Sequence, residues 1–523
     1  MRYRDHCYPA TAAVFCGALL LALTACDRPA EEEADRQAEP ASFTDQLRPR
    51  YWIGDDRTTY SLDERMAHYK VPGVAVAVLS GGQVVYADGF GVLQAGGSDA
   101  VDADTVFSVG SVSKVAAAMA VLRLAADGVL DLDRDVSDYL TSWSLPANDD
   151  VAGAPVTLRM VLSHTAGFNI HGFGDFAPGE PLPTAIQTLA GTAPAPNEPL
   201  RLLFRPGSGY KYSGGGYTLA QVILADMSGQ TFEDMARDVV FAPLGMARST
   251  FANPLPEGHG NIARAHDRDG QATALPRGYE AMPEMAASGL WTSANDLGAM
   301  VAALVRSYRS ADGFLPQALA RDMMTKVAPS QHGLGPRLEG SGETFFFHHA
   351  GTNNSYRAWI EGHLATGDGL VVLTNGAQGG DLFVEVRNAV ADAMGWRINA
   401  PIRLPESAVG ARALQSFTGT YTVDRAFPMA HRQQMVRWIF DADLSVFVEG
   451  DTLMLQVVGR DTRSPLIPTA PNRFVVSDFD MREGIAELEF HRNAFGETTA
   501  LTWHVANAQS HYTRKASPAG PQP

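Results

Sequence analysis

The sequence is poor in cysteine and in positive charge, and it contains a single long apolar run. Its three cysteines are Cys7, Cys16 and Cys26, so a chain that loses residues 1–25 and begins at Cys26 has no internal disulfide. Lys and Arg number 41 against 58 Asp and Glu, which gives a formal charge of -17 and argues against nucleic acid as a partner. The remaining composition, 45% hydrophobic and 19% charged, is typical of a folded protein, and 523 residues suggest two or three domains.

The apolar run extends from about Ala10 to Ala25, follows two arginines and is too short for a comfortable membrane span. Residues 1–26 are therefore predicted to be a signal peptide. Its last four residues, Leu23-Thr24-Ala25-Cys26, resemble a bacterial lipobox, in which the cysteine takes a lipid. We expect lipidation at Cys26 and a periplasmic protein anchored to the bacterial membrane. A plain signal peptide with an accidental cysteine is the alternative.

Composition and strand patterns divide the rest of the chain. The predicted segments are an acidic, solvated tether (27–48), a first domain (49–399), a Pro-containing linker (400–413), a C-terminal β domain (414–515) and a tail (516–523). Turn signals between short alternating strands suggest that the C-terminal domain is a small antiparallel barrel or sandwich.

The first domain opens with a predicted hairpin, in which Val74–Leu79 forms the first strand, Ser-Gly-Gly turns the chain and Val84–Tyr86 starts the return strand. Helical segments follow, beginning with Val112–Ala126, and strand patterns return after residue 344. The late strands are predicted at Thr344–His349, Ser355–Glu361 and Gly369–Leu373. The pattern predicts an α/β fold with a mainly antiparallel sheet and an inserted helical region.

Ser111-Val112-Ser113-Lys114 places a hydroxyl and an amine three residues apart at a helix start, where the two side chains can touch. A serine alcohol needs an adjacent base to become a nucleophile, and a helix N-terminus favours the anion that develops in acyl transfer. By itself the pattern is weak, because Ser often caps a helix and Lys is usually a surface charge.

Two further segments could contribute to a site. Tyr212 lies in a glycine-rich turn before a helical pattern, and tyrosine can move a proton if a cation lowers its pKa. His349-Ala350-Gly351-Thr352 follows an apolar strand pattern, where small residues would let a substrate lie along the strand edge. Taken alone, each segment also fits an ordinary structural loop or strand.

The histidines also allow a metal interpretation, in which His348 and His349 act with His164 and His171. The metalloprotease motif H-E-x-x-H is absent, and a chain without a cysteine ligand in this region offers little support for zinc. We therefore expect no metal and no organic cofactor.

Taken together, five ordered segments resemble the serine β-lactamase and DD-peptidase superfamily, most of all its class C β-lactamase branch with the related esterases and D-amino-acid peptidases. The segments are Phe107–Lys114, Leu162–Gly167, Tyr212–Gly214, Ala287–Trp291 and His349–Gly351. No serine lies in G-x-S-x-G, which argues against an α/β-hydrolase. The resemblance covers about residues 55–395.

The resemblance implies that Ser111 attacks a carbonyl and that Lys114 and Tyr212 share the proton transfers. It places the oxyanion hole at the backbone N–H groups of Ser111 and Thr352. It also implies that His349 and Gly351 lie on the substrate-binding strand, and it makes His164 structural rather than catalytic.

Two departures from the family pattern bear on specificity. Gly214 stands where class C enzymes usually carry Asn, and His349 stands where they carry Lys, which replaces a fixed cation by a group that titrates near pH 6.5. We expect a serine hydrolase that forms an acyl-enzyme on an ester, amide or D-amino-acid peptide, with weak β-lactam turnover. The alternative is a non-catalytic protein that keeps the fold and binds cell-wall fragments or peptides.

Overall fold

A computed structural model describes residues 40–146, 153–177, 179–273, 282–424, 442–461, 463–477, 485–505 and 508–515. The predicted signal peptide with Cys26, residues 27–39 of the predicted tether and the predicted tail lie outside these residues. The described helices are α1 (Leu62–His68), α2 (Ser113–Ala126), α3 (Leu158–Leu162), α4 (Ala185–Ala190), α5 (Gly214–Ser228), α6 (Phe232–Ala236), α7 (Met285–Ser288), α8 (Ala294–Arg309), α9 (Gln317–Met323), α10 (Gly379–Ala393) and α11 (Ala411–Phe417).

The strands of the first domain are β1 (Tyr51–Ile53), β2 (Gly73–Ser80), β3 (Gln83–Gly91), β4 (Phe107–Ser108), β5 (Trp291–Thr292), β6 (Arg337–Glu339), β7 (Phe346–Thr352), β8 (Arg357–His363) and β9 (Gly369–Thr374). The linker contains β10 (Ile402–Leu404). The C-terminal strands are β11 (Gly419–Val423), β12 (Leu444–Glu449), β13 (Thr452–Val457), β14 (Arg463–Ala470), β15 (Arg473–Val476), β16 (Ala486–Arg492), β17 (Thr498–Val505) and β18 (Ala508–Arg514).

The central sheet joins the first hairpin to the late strands in the order β3-β2-β9-β8-β7-β6, and every neighbouring pair is antiparallel. The predicted α/β fold with an inserted helical region is confirmed. Strand β2 explains the layering, because its residues are apolar on both faces. Ala75, Ala77 and Leu79 belong to the core shared with α2 and α8, whereas Val74 and Val76 belong to the core shared with α10.

Helix α2 lies inside the domain rather than on its surface. Its first ten residues are all buried, and its alanine-rich sequence lets neighbouring elements approach closely. A short 3-10 turn, Gly110–Val112, leads into it, and Gly110 has a φ of 48°, a conformation that glycine adopts without strain. The N-terminus of α2 is therefore fixed in place by core packing, with Ser111 at its edge.

The C-terminal strands β11 to β18 form a closed antiparallel barrel. The barrel alternative of the sequence prediction is the one observed. Its interior is apolar and centred on aromatic contacts: Phe490 packs against Phe417 at 4.6 Å and against Phe474 at 5.6 Å between ring centroids. This core is a cluster separate from those of the first domain.

One of the two predicted connecting segments differs from expectation. The described part of the tether, residues 40–48, is packed rather than solvated, because Phe43 and Leu47 are fully buried and Phe43 contacts the ring of Phe90. The predicted linker contains strand β10, which pairs in parallel with β1.

Among the helices of the described residues, none combines the length and the hydropathy that a bilayer crossing requires.

Candidate active site

Ser111 and Lys114 meet at the N-terminus of α2, as their spacing predicts. Lys114 Nζ donates a hydrogen bond to Ser111 Oγ at 3.1 Å and a second one to the carbonyl oxygen of Ala287 at 2.7 Å. Ser111 is partly exposed, whereas Lys114 is 2% exposed. The hydroxyl is thus open to a substrate while the amine beside it is shielded from water.

Burial changes the acid-base properties of this lysine. Removal of the amine from water lowers the pKa of Lys114 to about 7. Its surroundings are aromatic, with Nζ 5.0 Å from the ring centroid of Tyr212 and 5.6 Å from that of Tyr217. Near neutral pH a large fraction of the amine is unprotonated, so Lys114 can take a proton from Ser111.

Tyr212 completes the group, since its side chain is hydrogen-bonded to that of Ser111. Burial raises the pKa of Tyr212 above its ordinary value, and the opposing effects of Ser111 and of the Arg337 guanidinium are smaller. The lowered tyrosine pKa considered from the sequence is therefore not found. A phenol that stays protonated is suited to donate a proton to a leaving group rather than to act as a phenolate base.

Strand β7 runs close beside the nucleophile, and two glycines make this approach possible. A Cβ atom on Gly351 would lie 1.9 Å from the carbonyl oxygen of Val109, and one on Gly110 would lie 2.9 Å from the backbone nitrogen of Thr352. The end of β7 therefore lies next to the turn that carries Ser111. The backbone of Thr352 is thus close to Gly110, and the oxyanion hole at Ser111 and Thr352 stays a prediction.

His349 also lies on β7, but its chemistry differs from the sequence expectation. It is 4% exposed, and its Nδ1 donates to the carbonyl oxygen of Ala350 at 2.7 Å. Burial holds the pKa of His349 well below its usual range, so the imidazole stays neutral at neutral pH instead of titrating near 6.5. The adjacent His348 lies 4.8 Å from the ring of Trp359, in a stacked arrangement.

Gly214, the first residue of α5, packs against a loop. Its N–H donates to the carbonyl oxygen of His171 at 2.9 Å, and a Cβ atom at this position would lie 3.1 Å from the ring of Phe173. The loop thus occupies the space next to Gly214 into which a side chain would project. Gly214 therefore lacks the side-chain amide that class C enzymes usually carry at this position, and the loop with His171 and Phe173 forms this side of the site.

Two buried imidazoles flank Tyr212, and the sequence assigned a catalytic role to neither. His164 lies 4.2 Å from Tyr212 between ring centroids, and its Nδ1 accepts from the backbone N–H of Ser213 at 3.1 Å. His332 lies 4.7 Å from His164 and 5.9 Å from Tyr212. Burial lowers the pKa of His332 to about 3. His332 is 120 residues from Tyr212 in the sequence, and only the tertiary fold brings the two side chains together. No sequence pattern could therefore indicate that His332 lies beside Tyr212.

Within the described residues, no three His, Cys, Asp or Glu side chains are grouped so as to hold a metal ion. The zinc interpretation of His164, His171, His348 and His349 therefore has no geometric support.

Comparison with known proteins gives a consistent result. The family described as "Beta-lactamase" matches residues 61–395. The chain is 28% identical to Esterase EstB of Burkholderia gladioli over 382 residues, which are 63% of this chain and 93% of that protein. It is 33% identical to Penicillin-binding protein 4 of Amycolatopsis lactamdurans over 189 residues, 36% of this chain and 46% of that protein.

Among solved structures, the octameric penicillin-binding protein homologue from Pyrococcus abyssi superposes with a TM-score of 0.56. The match has 21% sequence identity and covers 86% of this chain and 98% of the other. At that identity the likeness concerns the fold.

Proposed function

The chain belongs to the beta-lactamase family, a family of serine hydrolases, and from that premise we propose that it hydrolyses short-chain esters through a covalent acyl-enzyme on Ser111. The observation that carries this proposal is the hydrogen-bonded group of Ser111, Lys114 and Tyr212 at the start of α2. Amides and D-amino-acid peptides are the other acyl donors compatible with the same chemistry.

In the acylation step Lys114 removes the proton from Ser111 Oγ as the oxygen attacks the substrate carbonyl. The carbonyl oxygen becomes an oxyanion, which the N–H groups of Ser111 and Thr352 stabilise. Tyr212 donates its proton to the leaving oxygen or nitrogen, and the proton on Lys114 restores the phenol. Water then enters with the same groups acting in reverse and releases the acid.

The preference for esters over β-lactams rests on two positions. His349 is neutral and buried, so it supplies no fixed cation to a substrate carboxylate, and Gly214 supplies no side-chain amide. A lost charge-assisted hydrogen bond costs about 1.5 to 3 kcal/mol, or about ten- to a hundredfold in rate if it acts in the transition state. The similarity to an esterase over 93% of that protein's length supports the same assignment.

The experiment compares kcat/KM for p-nitrophenyl butyrate and for nitrocefin on the wild-type chain, and labels Ser111 with a fluorophosphonate. We expect faster turnover of the ester, a single adduct on Ser111, and at least about a hundredfold loss of turnover in Ser111→Ala. Addition of EDTA should leave the rate unchanged. Efficient nitrocefin hydrolysis with negligible esterase activity would contradict the specificity proposal.

Binding without catalysis is the competing function. If the folded chain neither takes the fluorophosphonate nor hydrolyses any of these esters, the non-catalytic alternative is the better account.

We also propose that the protein is held at the periplasmic side of the bacterial membrane by a lipid on Cys26. The support is the tetrapeptide Leu23–Cys26 after an apolar run. Mass spectrometry of the mature N-terminus tests it, and Cys26→Ser should prevent lipid attachment. An unmodified N-terminus downstream of residue 26 would remove the anchor and leave the hydrolase proposal intact.

A further inference from the structure

The buried amine of Lys114 is fixed by a short piece of chain on the far side of the site. Its acceptor, the carbonyl oxygen of Ala287, belongs to α7, which has only four residues. Isolated helices of this length are unstable, since a helix nucleus is costly. The position of Ala287 must therefore be set by contacts from other elements.

Side chains from outside the segment provide those contacts. Gln221 Oε1 accepts the backbone N–H of Ala286 at 3.1 Å, directly beside Ala287. Further along, Ser113 Oγ accepts the N–H of Leu290 at 2.9 Å and itself donates to the carbonyl oxygen of Gly110 at 2.5 Å. The segment is thus tied both to α5 and to the turn that holds Ser111.

Gln221 occupies a distinctive place among these contacts. It lies near the middle of α5, is 6% exposed, and makes its contact one peptide bond away from the acceptor of the lysine. Its loss would leave the N–H of Ala286 without an acceptor in a buried place, which favours a shift of α7. A shift of α7 moves the carbonyl of Ala287 and with it the amine of Lys114.

We propose that Gln221 is a positioning residue, which holds α7 so that the Ala287 carbonyl aligns Lys114 with Ser111. The inference rests on the proposed function only in assigning proton transfer to Lys114. A displacement of about 1 Å in such a group can cost about a hundredfold in rate, so a residue that never touches substrate can govern turnover.

The first test follows the lysine directly. The chain has five lysines, Lys70, Lys114, Lys211, Lys326 and Lys515, so carbon-13 labelling at Cε gives few signals to assign by substitution. The carbonyl acceptor favours the charged amine, so Gln221→Ala should lower the pKa of Lys114 from about 7 by at least about half a unit. We also expect kcat/KM for p-nitrophenyl butyrate to fall at least about tenfold, through kcat more than KM.

A matched control separates positioning from general destabilisation. Ile223 is fully buried on the same helix, and its side chain can offer no hydrogen bond. Ile223→Ala should therefore lower the melting temperature while leaving the pKa of Lys114 and the pH profile unchanged. All assays are run well below the melting temperature of the less stable variant.

The structure also offers a route to rescue. Gln221 lines a surface cavity of about 290 Å³ together with Met285, Phe232 and Val222. Gln221→Ala removes a group equivalent to acetamide, and the cavity gives acetamide access to the vacated place. Acetamide at about 0.1 M should restore a measurable part of the lost kcat in Gln221→Ala and have no such effect on wild type or Ile223→Ala.

The outcomes distinguish the two proposals. A folded wild-type chain without esterase, amidase or peptidase activity would remove the proposed function, while the lysine titration would still report on Gln221. An active wild type whose Gln221→Ala variant keeps the wild-type pKa of Lys114 and its kcat would overturn the inference. The same holds if Ile223→Ala shifts the pH profile as much as Gln221→Ala does.

Discussion

The protonation of one buried amine governs the pH dependence expected for this site. In the proposed mechanism the unprotonated form of Lys114 is the base, and burial lowers the pKa of this amine to about 7. The fraction of free amine rises as the pH rises through 7, so kcat/KM for p-nitrophenyl butyrate should fall about tenfold per unit below pH 6 and level off above pH 8. In Lys114→Arg activity should be lost at every pH, because a guanidinium does not release its proton in this range.

Loss of activity by acid unfolding must be distinguished from loss of activity by protonation of Lys114. Burial holds the pKa of His164, His332 and His349 below that of the unfolded chain, so below about pH 6.5 the unfolded chain binds more protons and the folded state loses stability. Circular dichroism at each pH identifies the range in which the protein stays folded. A flat profile between pH 5.5 and 8.5 in folded protein would exclude Lys114 as the titrating base.

The sequence predicts contacts between side chains that are close together along the chain. Ser111 and Lys114 are three residues apart in one helix turn, so local geometry settles their contact. His332 and Gln221 could not be found this way, because their contacts with Tyr212 and Ala286 depend on the packing of distant elements. The neutral state of His349 likewise depends on burial, which no local pattern specifies.

Among the elements, strand β7 lies so close to the turn that carries Ser111 that no Cβ atom fits at Gly351. In Gly351→Ala the new methyl group would meet the carbonyl oxygen of Val109, so the strand must move away from the turn that carries Ser111. We expect kcat/KM to fall about a hundredfold and the melting temperature to drop.

The control is Gly410→Ala, since a Cβ there contacts nothing within 4 Å and the residue has a φ of -67°. It should behave like wild type. Activity of Gly351→Ala within about threefold of wild type would show that the close approach is not needed for catalysis.

Elements with a long run of residues of one propensity were predicted from the sequence, whereas a segment fixed by only two apolar residues was not. The start of the hairpin β2–β3 and the helix α2 were predicted to within a few residues. A β-rich run followed by a Ser-Gly-Gly turn marks the hairpin, and a run of helix-forming residues without Gly or Pro marks the helix. The packed segment 40–48 was missed, since Phe43 and Leu47 stand in an otherwise polar stretch.

For the whole molecule, the separation of the hydrophobic clusters has a thermodynamic consequence. The barrel closes on itself and has its own core around Phe490, whereas Phe383 belongs to the cluster between the central sheet and α10. The two clusters of the first domain are joined through the central sheet, whereas the barrel core shares no residue with either of them. The barrel can therefore lose its packing separately, and calorimetry of the full chain should show two unfolding transitions.

Point substitutions in the two cores assign these transitions. Phe490→Ala removes a fully buried ring and should lower the free energy of unfolding of the barrel by about 3 to 5 kcal/mol. For a domain of this size, that loss corresponds to a fall of more than about 10 °C in the midpoint temperature of the barrel's unfolding transition. Phe383→Ala should lower the other transition instead, and only that variant should reduce the temperature at which esterase activity is lost. If both variants lower one common transition by similar amounts, the barrel and the first domain unfold as a single cooperative unit, and the barrel then contributes directly to the stability of the site.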